Sequence, residues 1–252
     1  MADDTNVQFT TLLRKTTKQI HDFSDSLVQS KFVIGLIDDR VWAEGLLVFY
    51  EIFLFLESRI EKLSDTYIGR FNNPALMRAT LFEADLELYY GKNWKITHTP
   101  KSRECVRNYI NHLEELEKTE PNLLIPYIYH LYLGLLSGGI IIRKKHKLTP
   151  FSVFSKQSSV VDFESKIVGE LKTFIKNITN DIAENLDEDM KKKLLDESIT
   201  VFKLNCDLIR SVESAKNVYN KIVKIISYLG LLIMFIILFY FYFKQSNDEK
   251  DL

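Results

Sequence analysis

The chain has 252 residues, of which 33 are basic and 34 acidic, a net charge of −1 and 46% hydrophobic residues. Those figures suit a globular protein with one sizeable core, and the near-neutral balance gives no electrostatic footprint for nucleic acid. Two cysteines, Cys105 and Cys206, lie far apart without metal spacing; that excludes a disulfide scaffold and reads as two reduced cytosolic thiols.

Residues 1–6 are acidic and lack an apolar run, so they read as a disordered start without a signal peptide. Helical periodicity begins at once: Phe9, Leu12, Leu13, Ile20, Phe23 and Leu27 recur in steps that suit one buried face. On the same predicted helix Arg14, Lys18, His21 and Asp25 share a second side. Taken alone, that stripe fits an exposed, salt-laced face. It also fits a ligand site, with a neutral imidazole for iron, two cations for carboxylates, and an acid one turn on to hold the imidazole's tautomer.

Further helical patterns cover Val41–Leu63, Pro74–Tyr90, Ser102–Lys118, Asn122–Lys147, Phe163–Glu184 and Asp187–Tyr219, and nothing alternates strictly over strand length. Breaks fall at Asn72-Asn73-Pro74, Gly91-Lys92-Asn93, Thr99-Pro100 and Glu120-Pro121, and the polar stretch Thr149–Val161 reads as a loop. The fold class is therefore all-α, one helical domain over residues 7–220.

Within Asn122–Lys147 lies Tyr129-His130-Leu131-Tyr132-Leu133-Gly134-Leu135-Leu136-Ser137-Gly138-Gly139. A glycine inside a helix costs roughly 1 kcal/mol relative to alanine. Gly134 and Gly138 share one face with Gly139 beside them, leaving a strip of bare backbone. Such a strip serves either close helix packing or the approach of a large flat ligand. The basic run Arg143–Lys147 closes the pattern; it complements the helix dipole, or it docks an acidic partner. Of the other histidines, His112 sits on a charged pattern and reads as solvated, and His130 is a competing ligand beside the strip.

Residues 225–243 carry no charge, are flanked by Lys221, Lys224 and Lys244, and place Tyr240 and Tyr242 near one end. At 1.5 Å per residue such a helix spans roughly 28 Å, enough to cross a bilayer. It reads as a C-terminal transmembrane tail anchor, followed by a short polar tail over 244–252.

Leu13-Arg14-Lys15-Thr16-Thr17-Lys18-Gln19-Ile20-His21 resembles the proximal-helix motif of heme oxygenases, and Tyr132-Leu133-Gly134 with Leu136-Ser137-Gly138-Gly139 resembles their distal helix. Asp85-Leu86 with Tyr89-Tyr90-Gly91 and Trp94, Thr119-Glu120-Pro121 with Leu123-Leu124, and Val201-Phe202 with Leu204-Asn205 are similar to further stretches of that family, in the same order. The resemblance implies a heme-oxygenase-like helical domain that cleaves heme to biliverdin, carbon monoxide and ferrous iron. Heme would be both cofactor and substrate, and O2 the oxidant. Electrons would come from NADPH through NADPH–cytochrome P450 reductase, because the chain has no flavin or nicotinamide motif.

By resemblance, His21 is the iron ligand and Asp25 its neighbouring acid. Arg14, Lys18, Tyr129 and Lys176, with Lys172 as a further candidate, face the propionates. Phe202 walls the pocket and Asn205 joins its polar network. Gly134, Leu135, Gly138 and Gly139 form the catalytic strip. The endoplasmic reticulum membrane with a cytosolic domain, and biliverdin reductase as a further partner, follow from the same likeness.

Leu135 departs from the family, which has an aspartate there that organises water beside bound oxygen; Leu131 replaces its arginine. Slower turnover, or a looser choice of the carbon that is cut, follows. A heme binder of the same fold that does not cleave heme is the alternative. A helical tail-anchored adaptor is the third reading, but it leaves the glycine strip without a purpose, and the Asn-Trp-Gly-Arg motif of apoptosis regulators is absent.

Overall fold

The computed structural model describes residues 7–35, 39–98, 103–148, 160–213 and 215–248. The chain divides into two compact units, residues 1–213 and 214–252. Among the described residues all regular structure is helical: α1 (Phe9–Gly35), α2 (Asp39–Lys62), α3 (Ala79–Tyr90), the single turn α4 (Trp94–Thr97), α5 (Glu104–Thr119), α6 (Ile125–Leu148), α7 (Ser165–Glu184), α8 (Glu188–Arg210) and α9 (Ala215–Asp248). Short 3-10 turns at Gly69–Phe71 and Pro121–Leu124 complete it.

In the first unit α1 packs mainly along α8, α2 along α3, and α6 against α7 and α8. Leu13, Ile52, Leu56, Phe71, Tyr109, Tyr127 and Tyr132 are fully buried between them. Polar groups tie the helices at their ends. Asn180 of α7 accepts the Thr10 N–H at 3.0 Å, and Lys31 of α1 donates to the Val212 carbonyl at 2.7 Å. Arg103 donates to Glu44, whose carboxylate also takes the Glu213 N–H at 3.0 Å, so the end of the unit is pinned to α2.

Several boundaries differ from the periodicity. The pattern from Pro74 becomes helix only at Ala79, because Asn73 Oδ1 takes the Ala75 N–H and a turn intervenes. The pattern from Asp187 does not run to Tyr219: α8 ends at Arg210 and a new helix opens at Ala215. Its start is well marked, since Asp187 caps α8 by accepting the Met190 N–H at 2.7 Å. Gly91, at φ 84°, takes the left-handed conformation that turns α3 into α4. Gly69 is required by space, because a Cβ there would lie 2.3 Å from the Ser64 carbonyl oxygen. Cys105 and Cys206 are free thiols. Residues 149–159 of the expected loop lie outside the described residues.

In the second unit, Ile222–Tyr240 of α9 is long and apolar enough to cross a membrane. Its large side chains from Val223 to Tyr240 are exposed within this structure.

Candidate active site

A cavity of about 580 Å3 opens between α1, α2, α6, α7 and α8, a size ordinary for small-molecule sites. One stripe of α1 lines it, with Arg14, Thr17, His21, Asp25, Val28 and Lys31 recurring at helical spacing. Buried Leu13, Thr17 and Ser24 lie on or beside that same stripe, while the opposite face, with Lys15, Gln19 and Asp22, is exposed. From α2 come Val41, Trp42, Leu46, Phe49 and Phe53, which make the wall largely apolar.

His21 is half exposed, its side chain retaining 50% of its free surface within the open cavity. Its Nδ1 lies 3.5 Å from Asp25 and 3.8 Å from Asp22, so carboxylates stand ready for that nitrogen while the rest of the ring faces the cavity. The ring packs edge-on against Phe202, with centroids 5.5 Å apart.

Across the cavity α6 presents Tyr129, Gly134, Leu135 and Gly138. Among the described residues, a Cβ built on either glycine would meet nothing within 4 Å. Helix packing would place a neighbour there, so these two glycines leave open space and do not admit an adjoining helix. The α6 helix continues through Gly139, whose surroundings lie outside the described side chains, as do those of Arg143–Lys147.

Arg14, Lys172 and Lys176 all border the cavity, whereas Lys18, exposed on α1, is not among its lining residues. Burial pushes the Tyr129 hydroxyl up to about 12, against the pull of Arg14, so it remains a hydrogen-bond donor. Asn205 reaches the cavity from α8 and is held from behind: its Oδ1 accepts the Tyr109 hydroxyl at 3.0 Å.

Three features escaped the sequence. The Phe53 ring, packed on Phe82 and Tyr132 with centroids 5.0 and 5.3 Å away, borders the cavity. His112 is only part-solvated, because its Nε2 lies 2.8 Å from Glu197, which also accepts the Tyr127 hydroxyl. His130 borders the cavity, but its Nε2 is sealed from solvent with no hydrogen-bond partner. Burial, followed by the nearby His21, lowers His130 to about 3. Long-range contacts create all three environments.

A sequence model of heme oxygenase matches residues 7–211, the first unit almost entire. The chain belongs to the heme oxygenase family. Members of that family are oxidoreductases that act on heme. Among curated relatives, heme oxygenase of Rhodella violacea is 29% identical over 219 residues, covering 85% of this chain and 90% of its own length. Heme oxygenase 1 of Bos taurus is 26% identical over 216 residues, covering 80% and 70%. Two solved structures share the fold: heme oxygenase 2 of Chlamydomonas reinhardtii without heme (TM-score 0.73, 24% identity, 82% of this chain and 98% of that one) and heme oxygenase-1 of the cyanobacterium Synechocystis in complex with heme (TM-score 0.73, 22% identity, 89% and 100%). The heme oxygenase fold thus accounts for the helical arrangement around the cavity.

Proposed function

We propose that this family member binds heme as its substrate and opens the ring to biliverdin, carbon monoxide and ferrous iron, using O2 and electrons from a separate reductase. One observation carries the reading: the half-exposed His21 and the Cβ-free positions Gly134 and Gly138 border the same largely apolar cavity. The residues present fit heme. An accessible imidazole suits iron, apolar walls suit the macrocycle, and Arg14, Lys172, Lys176 and the Tyr129 hydroxyl suit two carboxylates.

Heme, when bound, supplies the iron that activates oxygen. His21 would hold that iron, and Asp25 would keep the ring's other proton on Nδ1. Gly134 and Gly138 leave room beside their backbone for oxygen and water. Phe49, Phe53 and Leu46 exclude bulk water from the ring face. Leu135 borders the cavity where the family has an acid, and its side chain can hold no water, so we infer slow or weakly regioselective turnover. Anchoring through Ile222–Tyr240 at the endoplasmic reticulum, domain to the cytosol, would bring the protein beside NADPH–cytochrome P450 reductase and raise their encounter frequency.

Leu135 and Leu131 also favour a second reading, a heme binder that does not turn over. Full-length protein in detergent, loaded with hemin and given reductase and NADPH, separates the two. Heme loss with bilin and carbon monoxide is the expected result. A heme complex that persists under reduction would assign the binder, and failure to take up hemin would remove both readings.

A further inference from the structure

The cavity is longer than a heme ring held at His21 would fill. Lys31 borders it ten residues beyond His21 on α1, about 15 Å along the helix axis. That is further than the edge of a porphyrin lies from its iron. The α8 helix gives the same measure independently: Phe202 packs on the His21 ring, and ten residues later the Val212 carbonyl accepts the Lys31 ammonium at 2.7 Å. The α2 helix meets this end as well, because Glu44 takes the Glu213 N–H at 3.0 Å and so sets the neighbouring Gly45 at that level.

The two ends of the cavity differ in chemistry. Arg14 acts on Tyr129, and the bond from Thr10 to Asn180 brings Lys176, one turn away on α7, to the same end. The far end is walled by Val28, Val41, Gly45, Ile209 and Val212, and its one cation there, Lys31, is already bound to a carbonyl. Among the described residues, a Cβ built on Gly45 would meet nothing within 4 Å, although a helix interior disfavours glycine against alanine. No described neighbour needs the missing side chain, so what the glycine leaves is room in the cavity.

We propose that this far end is an apolar subsite for a long hydrocarbon substituent on the heme edge opposite the propionates, so that the protein takes prenyl-bearing hemes as well as protoheme. The proposal rests on the heme-binding reading, which sets iron on His21 and the carboxylates near Arg14. Those two points aim the opposite edge of the ring along α1 towards Val28 and Gly45. Each methylene moved there from water adds hydrophobic stabilisation, and the aliphatic walls hold no group that the chain would leave unpaired. A reversed heme, with its carboxylates at Lys31, is disfavoured. Arg14, Lys172 and Lys176 outnumber that single ammonium, and the Asp25 carboxylate stands between His21 and Lys31.

The test titrates full-length protein, in one detergent, with protohemin and with hemin carrying a hydroxyethylfarnesyl chain in place of one vinyl group, read at the Soret band. Wild-type protein should take up both. Gly45→Leu fills the far end and should weaken uptake of the prenyl hemin by about tenfold or more, while protohemin stays within about twofold. Val28→Phe, at the same end, should discriminate in the same way and serves if Gly45→Leu folds poorly by circular dichroism. The ratio of the two affinities decides, so a general loss of stability does not imitate the effect. Wild-type protein that binds protohemin but not the prenyl hemin would overturn the proposal, as would folded variants that weaken both equally or neither. Wild-type protein that takes up neither hemin would instead bring down the heme reading beneath it.

Discussion

The Tyr132 hydroxyl of α6 donates to Glu57 Oε1 of α2 at 2.9 Å, and the same carboxylate takes the Arg78 N–H at 2.6 Å and the Ala79 N–H at 3.0 Å. One half-buried acid therefore caps α3 and fixes the helix that carries the glycine strip. Arg78 lies over the Phe163 ring at 3.6 Å and donates to the Ala75 carbonyl, which extends the clamp towards α7. The wall bearing Gly134 and Gly138 is held in place from behind, by groups that never touch the cavity.

Removing that acid should loosen the whole wall. Glu57→Ala is expected to cost about 3 kcal/mol in urea unfolding, since it leaves backbone donors and a buried hydroxyl unpaired. Glu57→Gln keeps one acceptor and should cost about 1 kcal/mol. Burial raises the Glu57 carboxyl above its usual range in the fold. The folded state therefore binds its proton more tightly than the unfolded chain does, and stability should fall as pH rises from the ordinary glutamate range through the raised value. Glu57→Gln should lack that slope.

The glycine strip makes an opposite pair of predictions. A methyl at Gly138 meets nothing within 4 Å among the described residues, so Gly138→Ala should stabilise the heme-free protein by up to about 1 kcal/mol through helix propensity. The same methyl enters the cavity and should weaken hemin uptake. Thermal melts and hemin titrations of one preparation measure both. A loss of stability with hemin uptake intact would show that the glycine serves packing.

Leu135→Asp should restore a water-holding group at the cavity edge. In the reductase-driven assay we expect faster bilin formation and a narrower set of isomers by chromatography. Unchanged rate and isomers would mean that Leu135 does not limit this site.

His130 should give the heme-free protein an acid weakness. It stays neutral in the fold down to about 3, whereas in the unfolded chain it takes up a proton near pH 6.5. The unfolded state then binds more protons below that pH, so stability should drop as pH falls through 6.5, by about 2 kcal/mol at pH 5. His130→Gln should flatten that limb in chemical unfolding at pH 7 and pH 5, and an unaltered slope would place the acid sensitivity elsewhere.

The helices were legible because each shows a sustained apolar period, and α8 also announces its start with Asp187. The break after Arg210 was not, because Ser211–Glu213 is held by Glu44 and Arg103 from other helices and has no local stop signal. At the site, spacing placed His21 with Asp25, and the glycines, on shared helix faces, but left an exposed face or helix packing open; the resemblance to heme oxygenases marked them as a heme site. Lys18 belonged to that pattern too, yet it falls outside the cavity lining, because the spacing cannot say where the partner helices end the face.

By itself the amino-acid sequence determined the all-α class, the apolar helix near the C-terminus and the composition of α1 and α6, because periodicity and glycine content are local properties. Only the tertiary structure decided that the glycines face open space, that Glu57 clamps their helix, that Tyr109 holds Asn205, and that the His130 Nε2 is sealed from solvent. Each of these joins residues tens of positions apart, and burial, on which their chemistry depends, exists only once the helices have packed.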